Sequence, residues 1–197
     1  MEEFWNSRYA DKEYVYGTQP NAFFAAELLK LPLGKILLPA EGEGRNAVFA
    51  AKNGWKVHAF DSSIRAREKA LALADSAGVN IQYQRIDIRA FGAKTGSFDL
   101  IGLVFAHFPP GPRKDYHQKL SRFLRKGGMV IMEAFAREQI EYNTGGPKNI
   151  DMLYSTEELK QDFSGLEILK LHQEEVMLDE GPFHRGKASV IRLLARK

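Results

Sequence analysis

The stretch that decides the fold is ILLPAEGEGRN, residues 36–46. It joins a short apolar run, typical of a strand, to the apolar residues of a helix. Gly42, Gly44 and Ala47 satisfy the pattern G-x-G-x-x-G/A, whose glycines allow a tight turn between strand and helix. The next strand-like run ends at Asp61, where an acid can accept hydrogen bonds from ribose hydroxyls. The stretch therefore predicts a βαβ unit that binds an adenosine-containing cofactor, the alternative being a plain tight turn with an exposed strand end.

Two glutamates in this turn, Glu41 and Glu43, distinguish between such cofactors. A turn of this kind usually holds a phosphate, because backbone N–H groups and the positive end of a helix point at it. Carboxylates in the same place would repel a diphosphate by about a few kcal/mol, whereas they would attract the sulfonium and ammonium groups of S-adenosylmethionine. Glu41 is expected beside that cation, and Glu43 is expected either there or pointing to solvent. The turn thus favours S-adenosylmethionine over a dinucleotide.

The rest of the chain alternates short strand-like runs with helical ones, as in a parallel sheet with crossover helices. The run SFDLIGLVFAHF, residues 97–108, is almost continuously apolar and indicates the centre of the sheet. The last two strand-like runs have no helix between them, so they must be antiparallel. We therefore expect an α/β fold, a Rossmann-like three-layer sandwich whose mostly parallel seven-stranded sheet ends in an antiparallel hairpin. With 197 residues, of which 44% are hydrophobic, it should form a single domain, residues 1–197.

Composition excludes several classes of function. The chain has no cysteine, which rules out disulfides and thiolate metal sites, and its five histidines show no ligand spacing, so we expect no metal. The net charge of +3 comes from scattered residues, so we expect no nucleic-acid partner. No apolar run approaches the roughly 20 residues that span a bilayer. We expect a cytoplasmic protein, no membrane partner, and either a monomer or a homodimer.

Residues 36–63 resemble the first motif of class I S-adenosylmethionine-dependent methyltransferases, particularly the group related to tellurite-resistance and thiopurine methyltransferases. The resemblance extends over almost the whole chain. WNSRYADKEYVYGTQPNAFF, residues 5–24, is similar to the N-terminal segment that covers the cofactor in that group, which implies such a role for residues 1–31. RIDI, residues 85–88, resembles the strand end whose acid meets the adenine amino group, and LRKGGMVIMEAF, residues 124–135, resembles the strand after the fourth helix.

The resemblance implies that Asp87 accepts the adenine amino group and that Ile86 or Ile88 packs on the ring. Leu38 and Ala40 stand where family members usually carry an acid and a first glycine, which bears on affinity more than on the identity of the cofactor. The whole predicted cofactor set is Trp5, Tyr9, Ala40, Glu41, Gly42, Glu43, Gly44, Arg45, Asn46, Asp61, Ser62, Asp87, Ile88 and Phe105.

The methyl acceptor is expected at the end of the fourth strand, VFAHFPPG, residues 104–111, because ligands of such sheets gather at the carboxyl ends of the strands. Enzymes that methylate planar amines resemble one another in an Asn/Asp-Pro-Pro-aromatic loop here, and this chain lacks the amide or acid and the aromatic residue. His107 either takes a proton from the acceptor or orients the loop through a backbone hydrogen bond. A long loop, residues 136–154, is predicted to bind substrate, and the candidate substrate residues are Arg113, Arg137, Tyr142, Asn143 and Lys148.

The sequence thus predicts a methyltransferase that uses S-adenosylmethionine to modify a small molecule: a thiol, a chalcogen oxyanion or a hydroxyl. Two alternatives stay open. An NAD(P)-dependent oxidoreductase shares the glycine pattern and Asp61, and a non-catalytic cofactor-binding paralogue is consistent with Leu38 and Ala40.

Overall fold

The computed structural model describes residues 2–197; Met1, within the predicted covering segment, lies outside the described residues. Six α-helices occur in these residues: α1 (Glu2–Arg8), α2 (Ala22–Leu28), α3 (Arg45–Lys52), α4 (Ile64–Ser76), α5 (Pro110–Phe123) and α6 (Thr156–Asp162). The same residues form seven strands: β1 (Lys35–Pro39), β2 (Lys56–Asp61), β3 (Gln82–Arg85), β4 (Phe98–Val104), β5 (Leu124–Phe135), β6 (Glu167–Asp179) and β7 (Arg185–Arg196). Two short 3₁₀ helices lie in the long loop: Arg137–Glu141 and Ile150–Met152.

The strands form one sheet in the order β3-β2-β1-β4-β5-β7-β6. The first five strands in this order are parallel, and β7 runs antiparallel to both of its neighbours. This confirms the predicted Rossmann-like fold with a terminal antiparallel hairpin. Strand order reverses between β1 and β4, so the carboxyl ends of these two strands form the crevice in which ligands of open α/β sheets bind.

The core lies on both faces of the central strands. Leu37 of β1 and Ile101 of β4 pack in one apolar cluster, and Leu38 and Leu100 of the same strands pack in the other. The continuous apolar run of β4 is therefore explained by burial on both faces. Phe24 of α2 lies so close to β4 that a side chain at the β4 glycine would collide with its ring.

Local signals place the helix ends. The Asn21 side chain accepts a hydrogen bond from the Phe24 N–H and caps α2, and Ser63 caps α4 in the same way through the Ala66 N–H. A capping box formed by Ser155 and Glu158 begins α6. These caps satisfy N–H groups that have no partner inside the helix. Between residues 2 and 197, no helix has the length and apolar composition needed to cross a bilayer.

Candidate functional site

The glycine-rich turn after β1 requires left-handed backbone at three alternate positions. The φ angles are 50° at Ala40, 66° at Gly42 and 88° at Gly44. A Cβ at Gly42 would lie 2.8 Å from the Tyr9 hydroxyl oxygen, and one at Gly44 would lie 2.6 Å from the Ala70 Cβ. Gly42 and Gly44 are therefore required both for conformation and for space. Ala40, where the family pattern has a glycine, adopts the same left-handed region at a cost of roughly 1–2 kcal/mol.

Glu41 is turned inward, toward the first turn of α3. Its Oε1 accepts a hydrogen bond from the Ala47 N–H at 2.8 Å, and its Oε2 lies 3.5 Å from Asn46 Nδ2. Burial raises the pKa of Glu41 to about 7, against the hydrogen bonds that lower it. Because backbone N–H groups at a helix start form the usual phosphate site, the carboxylate of the chain itself fills the place that a diphosphate would take.

Glu43 is buried, and the expectation that it could point to solvent is wrong. One carboxylate oxygen accepts the Val15 N–H at 2.8 Å, and the other lies 2.5 Å from Lys69 Nζ. Only 4% of the residue is exposed. Glu43 therefore fastens the N-terminal segment to the turn, and Lys69 neutralises its charge, so the repulsion of a diphosphate predicted for this residue is largely cancelled.

Asp61, at the end of β2, faces the same turn. Its carboxylate accepts hydrogen bonds from the backbone N–H groups of Gly42 at 3.2 Å and Ser63 at 2.9 Å. Burial raises the pKa of Asp61. The Tyr83 hydroxyl donates to the Gly42 carbonyl at 2.6 Å. Ser62 is partly exposed beside this group. The predicted turn and the predicted ribose acid are thus brought together, and lone pairs of the carboxylate remain for further donors.

The aromatic residues of the N-terminal segment lie over the turn. Tyr9 is buried against Gly42, and its ring stacks on Trp5 at 5.4 Å between centroids. Tyr16 meets Tyr9 edge to face at 6.4 Å.

Further along the edge of the sheet, Asp87 follows β3 and is bound to Arg89, which lowers the pKa of Asp87. Ile88 lies beside it, half-buried against the core.

A buried ionic network continues from α3 to the hairpin. Arg45, the first residue of α3, donates to Glu180 at 2.7 Å, and Asn21 donates to Glu180 at 2.9 Å and to Glu133 at 2.6 Å. His184 and Arg45 help to lower the pKa of Glu180 to about 2. Asn46 accepts the Asn21 backbone N–H at 3.0 Å. Arg45 and Asn46, predicted as cofactor ligands, therefore brace the segment that covers the turn.

His107 has both ring nitrogens engaged by the main chain. Nδ1 lies 2.7 Å from the Met152 carbonyl, and Nε2 accepts the Phe135 N–H at 3.1 Å. Burial lowers the pKa of His107 to about 4. Because the carbonyl can only accept and the N–H can only donate, the ring is neutral with its proton on Nδ1. This geometry supports the orienting role of His107 and leaves no nitrogen for an acceptor's proton.

Phe105 begins the loop after β4 and lies in a group of aromatic rings. It adopts a φ of 50°, a left-handed conformation that costs energy for a bulky residue. Its ring stacks on Phe135 at 4.5 Å and meets His184 at 4.6 Å, and His184 in turn meets Tyr16 at 4.4 Å. These four rings join the ends of β4 and β5, the β6–β7 turn and the N-terminal segment. We refer to Tyr16, Phe105, Phe135 and His184 as the aromatic chamber.

The two predicted substrate arginines both form ion pairs, which corrects the assignment of the buried Arg113. Arg113 is buried and binds Asp162 at 2.7 Å and Glu158 at 2.8 Å. Arg137 binds the same Glu158 oxygen at 2.8 Å. Both guanidinium groups hold α6 against α5 and the long loop. Arg113 is buried with its two acids and is not free to bind an anionic acceptor, whereas Arg137 is partly exposed and its substrate role stays a prediction.

The remaining substrate candidates lie on the outer side of the long loop. The Tyr142 hydroxyl bonds to Glu175 on β6, and Lys148 Nζ lies 3.3 Å from Asn143 Oδ1. None of the three is drawn into the aromatic chamber in this structure. Instead, Gly145 and Gly146 of the loop approach it, since side chains there would collide with His184 and Phe135.

Sequence reasoning missed Glu180 and His184, which the structure brings to the site. They lie in DEGPFHRG, residues 179–186, which the pattern identifies only as a turn. The sequence signal that could have found them is an acid and a histidine four residues apart in a turn that returns to the sheet. Among residues 2–197, no cluster of three or more histidine or acidic side chains could hold a metal ion.

Comparisons with known proteins agree with this architecture. Residues 36–128 match the family model of a methyltransferase domain. The fold is that of the methyltransferases. A protein studied for the conversion of a disulfide bond into a thioacetal group during echinomycin biosynthesis is 19% identical, with a TM-score of 0.82 over 100% of this chain and 91% of that one. No curated protein matches the chain significantly.

Two further solved structures share the methyltransferase fold. TehB from Haemophilus influenzae is 17% identical, with a TM-score of 0.74 over 100% of this chain and 66% of that one. An S-adenosylmethionine-dependent methyltransferase from Methanosarcina mazei is 17% identical, with a TM-score of 0.71 over 91% and 98% of the two chains. The Methanosarcina mazei protein depends on S-adenosylmethionine, and this chain shares its fold.

Proposed function

We propose that this chain transfers a methyl group from S-adenosylmethionine to a small molecule that offers a thiol, a chalcogen oxyanion or a hydroxyl. The observation that carries the proposal is the hydrogen bond from the Ala47 N–H to Glu41, which fills the start of α3 with a carboxylate. A cofactor without phosphate needs no helix N-terminus, whereas NAD(P) would lose its usual diphosphate site. This geometry favours the methyltransferase over the oxidoreductase.

The proposal assigns the edge of the sheet to the cofactor. Asp61 is to accept the ribose hydroxyls and Asp87 the adenine amino group, with Ile88 against the ring. Trp5 and Tyr9 are to cover the cofactor, since Glu43 holds their segment against the turn. S-adenosylmethionine supplies a methyl group on a sulfonium, and aromatic faces such as those of the chamber stabilise a nearby cation.

Several finer assignments belong to the same proposal. The chain is to belong to the tellurite-resistance and thiopurine methyltransferase-like group. It is to form a single domain, with a segment that covers the cofactor in residues 1–31 and a substrate loop in residues 136–154. It is to act in the cytoplasm as a monomer or homodimer, without a nucleic-acid partner. The way residues 9–16 cover the turn supports the group assignment.

Isothermal titration calorimetry tests the cofactor. S-adenosylmethionine and S-adenosylhomocysteine are expected to bind, and NAD is not. The variant Asp61→Asn is expected to bind the adenosyl compounds at least about tenfold more weakly, because a charge-assisted hydrogen bond contributes about 1.5–3 kcal/mol. Asp75→Asn, an exposed change on α4, is the matched control. Binding of NAD without binding of either adenosyl compound would overturn the proposal.

A transfer assay with radiolabelled methyl donor tests the acceptor class. The panel contains thiols, tellurite and selenite, and small hydroxylated compounds. Sulfur compounds come first because the echinomycin protein acts on sulfur. Transfer to any class supports the enzyme, and tight binding without transfer to the panel would favour the non-catalytic paralogue.

A further inference from the structure

His184 lies where the parts of the proposed site converge. Its imidazole is within 4.4 Å of the Tyr16 ring, 4.6 Å of Phe105 and 5.1 Å of Phe135, measured between ring centroids. Only 5% of the residue is exposed. Phe105 directly follows β4, at whose carboxyl end the reacting methyl group is expected. The ring of His184 is therefore the titratable group that borders this position from the hairpin side.

The neighbours of the imidazole fix its tautomer. Nδ1 faces Glu180 Oε2 at 3.4 Å, and the same carboxylate oxygen accepts a hydrogen bond from Arg45 at 2.7 Å. An ionised carboxylate can only accept, so the proton of the neutral ring lies on Nδ1 and Nε2 keeps a free lone pair. Within residues 2–197, Nε2 has no hydrogen-bond partner. Gly145 packs beside this nitrogen: a Cβ there would lie 3.2 Å from Nε2 and would collide with the ring, so the absence of a side chain at Gly145 keeps Nε2 uncovered.

Charged and titratable groups face His184 from several elements. These groups are Glu180 in the same turn, Arg45 at the start of α3, Arg8 at the end of α1, Tyr16 in the N-terminal segment, and His107 in the loop after β4. Burial lowers the pKa of His184 most, the two arginines lower it further, and Glu180 raises it. The net direction is downward, so the ring is unprotonated at neutral pH and can accept a proton.

Two other buried histidines can be compared with His184. His107 uses both nitrogens on the main chain. His117 has Asp162 at Nδ1 and no hydrogen-bond partner at Nε2, but its ring is enclosed by Phe108, Tyr154 and Phe163. His184 shares with His117 an orienting carboxylate and an unbonded second nitrogen, which is the arrangement of a general base, and differs from it by bordering Phe105 at the end of β4.

We infer that Nε2 of His184 accepts the proton of the methyl acceptor, with Glu180 positioning the ring. The inference rests on the proposed function. The acceptor's lone pair forms the new bond to the methyl carbon, the bond from that carbon to sulfur breaks with its electron pair remaining on sulfur, and the proton of the acceptor moves to Nε2. The acceptor is then a hydroxyl or thiol that carries its proton at neutral pH, rather than an oxyanion that is already ionised.

Nuclear magnetic resonance of protein labelled with ¹⁵N-histidine tests the placement without any acceptor. The free protein is expected to show His184 neutral, with its proton on Nδ1. With S-adenosylmethionine bound, the pKa of His184 is expected to be lower than with neutral S-adenosylhomocysteine bound by roughly half a unit or more, because a sulfonium charge nearby opposes protonation. His172, a partly exposed histidine paired with Glu174, is the internal control, and its signals should be the same in both complexes.

The outcomes of this experiment separate the two proposals. Binding of both compounds with identical titration of His184, or a proton on Nε2 in the free protein, overturns the role of His184 and leaves the methyltransferase proposal standing. Failure of both compounds to bind overturns the methyltransferase proposal itself, and the inference with it.

A variant tests the chemistry. His184→Asn keeps an N–H group toward Glu180 and lacks the second nitrogen. With 2-mercaptoethanol as the probe acceptor, kcat is expected to fall about 100-fold or more, in the range of general-base effects, while the Kd for S-adenosylmethionine stays within threefold. The fall of the wild-type rate at low pH should disappear, because the group that titrates is gone. His172→Asn should keep the wild-type rate and pH profile. An equal loss in both variants, or an unchanged pH profile in His184→Asn, contradicts the inference.

Discussion

Glu41 and Glu180 are carboxylates in two turns that lie on either side of Arg45, and their acidities differ widely. Burial raises the pKa of Glu41 to about 7, whereas the pKa of Glu180 lies near 2. The two pKa values differ because the two carboxylates have different partners. Glu41 accepts hydrogen bonds from neutral N–H groups of Ala47 and Asn46, whereas Glu180 lies against the guanidinium of Arg45 and the imidazole of His184. A carboxylate near a glycine-rich turn therefore indicates a cationic ligand only once its partners within the chain are known.

The largest expected effect comes from removing the cation of the second turn. Arg45→Met leaves Glu180 buried without its guanidinium, which is expected to cost about 3–4 kcal/mol in the free energy of unfolding. Urea denaturation followed by circular dichroism measures it. Arg65→Met, which removes an exposed pair with Glu68, should change stability by less than about 1 kcal/mol. A small effect of Arg45→Met would show that Asn21 and His184 suffice for Glu180.

The next largest effect is expected when Glu43, which holds the N-terminal segment against the glycine-rich turn, is replaced. Glu43→Ala leaves the Val15 N–H and Lys69 without their carboxylate, and we expect a loss of about 3 kcal/mol. Because the segment is released, trypsin should cleave after Lys12 about tenfold faster under native conditions. Glu13→Ala, an exposed change in the same segment, is the control. An unchanged cleavage rate in Glu43→Ala would mean that the aromatic contacts alone hold the segment.

The pKa difference itself predicts opposite pH dependences. The folded pKa of Glu41, about 7, lies above its ordinary value of 4.5, so its contribution is fully present below pH 4.5 and is lost as pH rises through 7. The variant Glu41→Gln keeps an oxygen for the Ala47 N–H but does not titrate. Between pH 5 and pH 8, its free energy of unfolding is expected to rise by about 2 kcal/mol relative to that of wild type. For Glu180 the sign reverses, and stability is lost as pH falls from 4.5 toward 2.

Thermal and urea unfolding of wild type and Glu41→Gln across this pH range measure the first effect, and Glu180→Gln checks the second below pH 4.5. Parallel stability curves for wild type and Glu41→Gln would contradict the raised pKa of Glu41.

The smallest effect concerns the backbone of the first turn. Ala40→Gly relieves a left-handed alanine and is expected to stabilise the fold by about 1 kcal/mol, or to raise Tm by about 2–4 °C. Ala51→Gly in α3 should lower stability by about the same amount, because glycine weakens a helix. Destabilisation by Ala40→Gly would indicate that the Ala40 methyl group makes a favourable contact that outweighs the strain.

The sequence was sufficient for the fold because its signals are local. The glycine pattern placed β1 and α3, the apolar run from Phe98 placed the central strand, and the absence of a helix between the last two runs required the hairpin. Each of these follows from chain geometry alone, which a single sequence records directly.

The site was predicted less completely because side-chain partners are set by distant parts of the chain. Asp61 and Gly42, both predicted as cofactor residues, lie side by side. Arg113, however, is bound by Asp162, almost fifty residues away, and Glu43 is paired with Lys69 rather than exposed. No local pattern encodes such pairings. For the same reason the sequence analysis selected His107 and missed His184, whose surroundings come from several separate segments of the chain.

The position of β7 has a consequence for how the molecule is made. β6 contacts the sheet only through β7, which lies between it and β5. During synthesis, β6 therefore has no strand to pair with until residues 185–196 have left the ribosome. The turn that carries Glu180 and His184 joins these two strands, so the side of the crevice that would handle the proton can close only after β1 to β5 have all been synthesised.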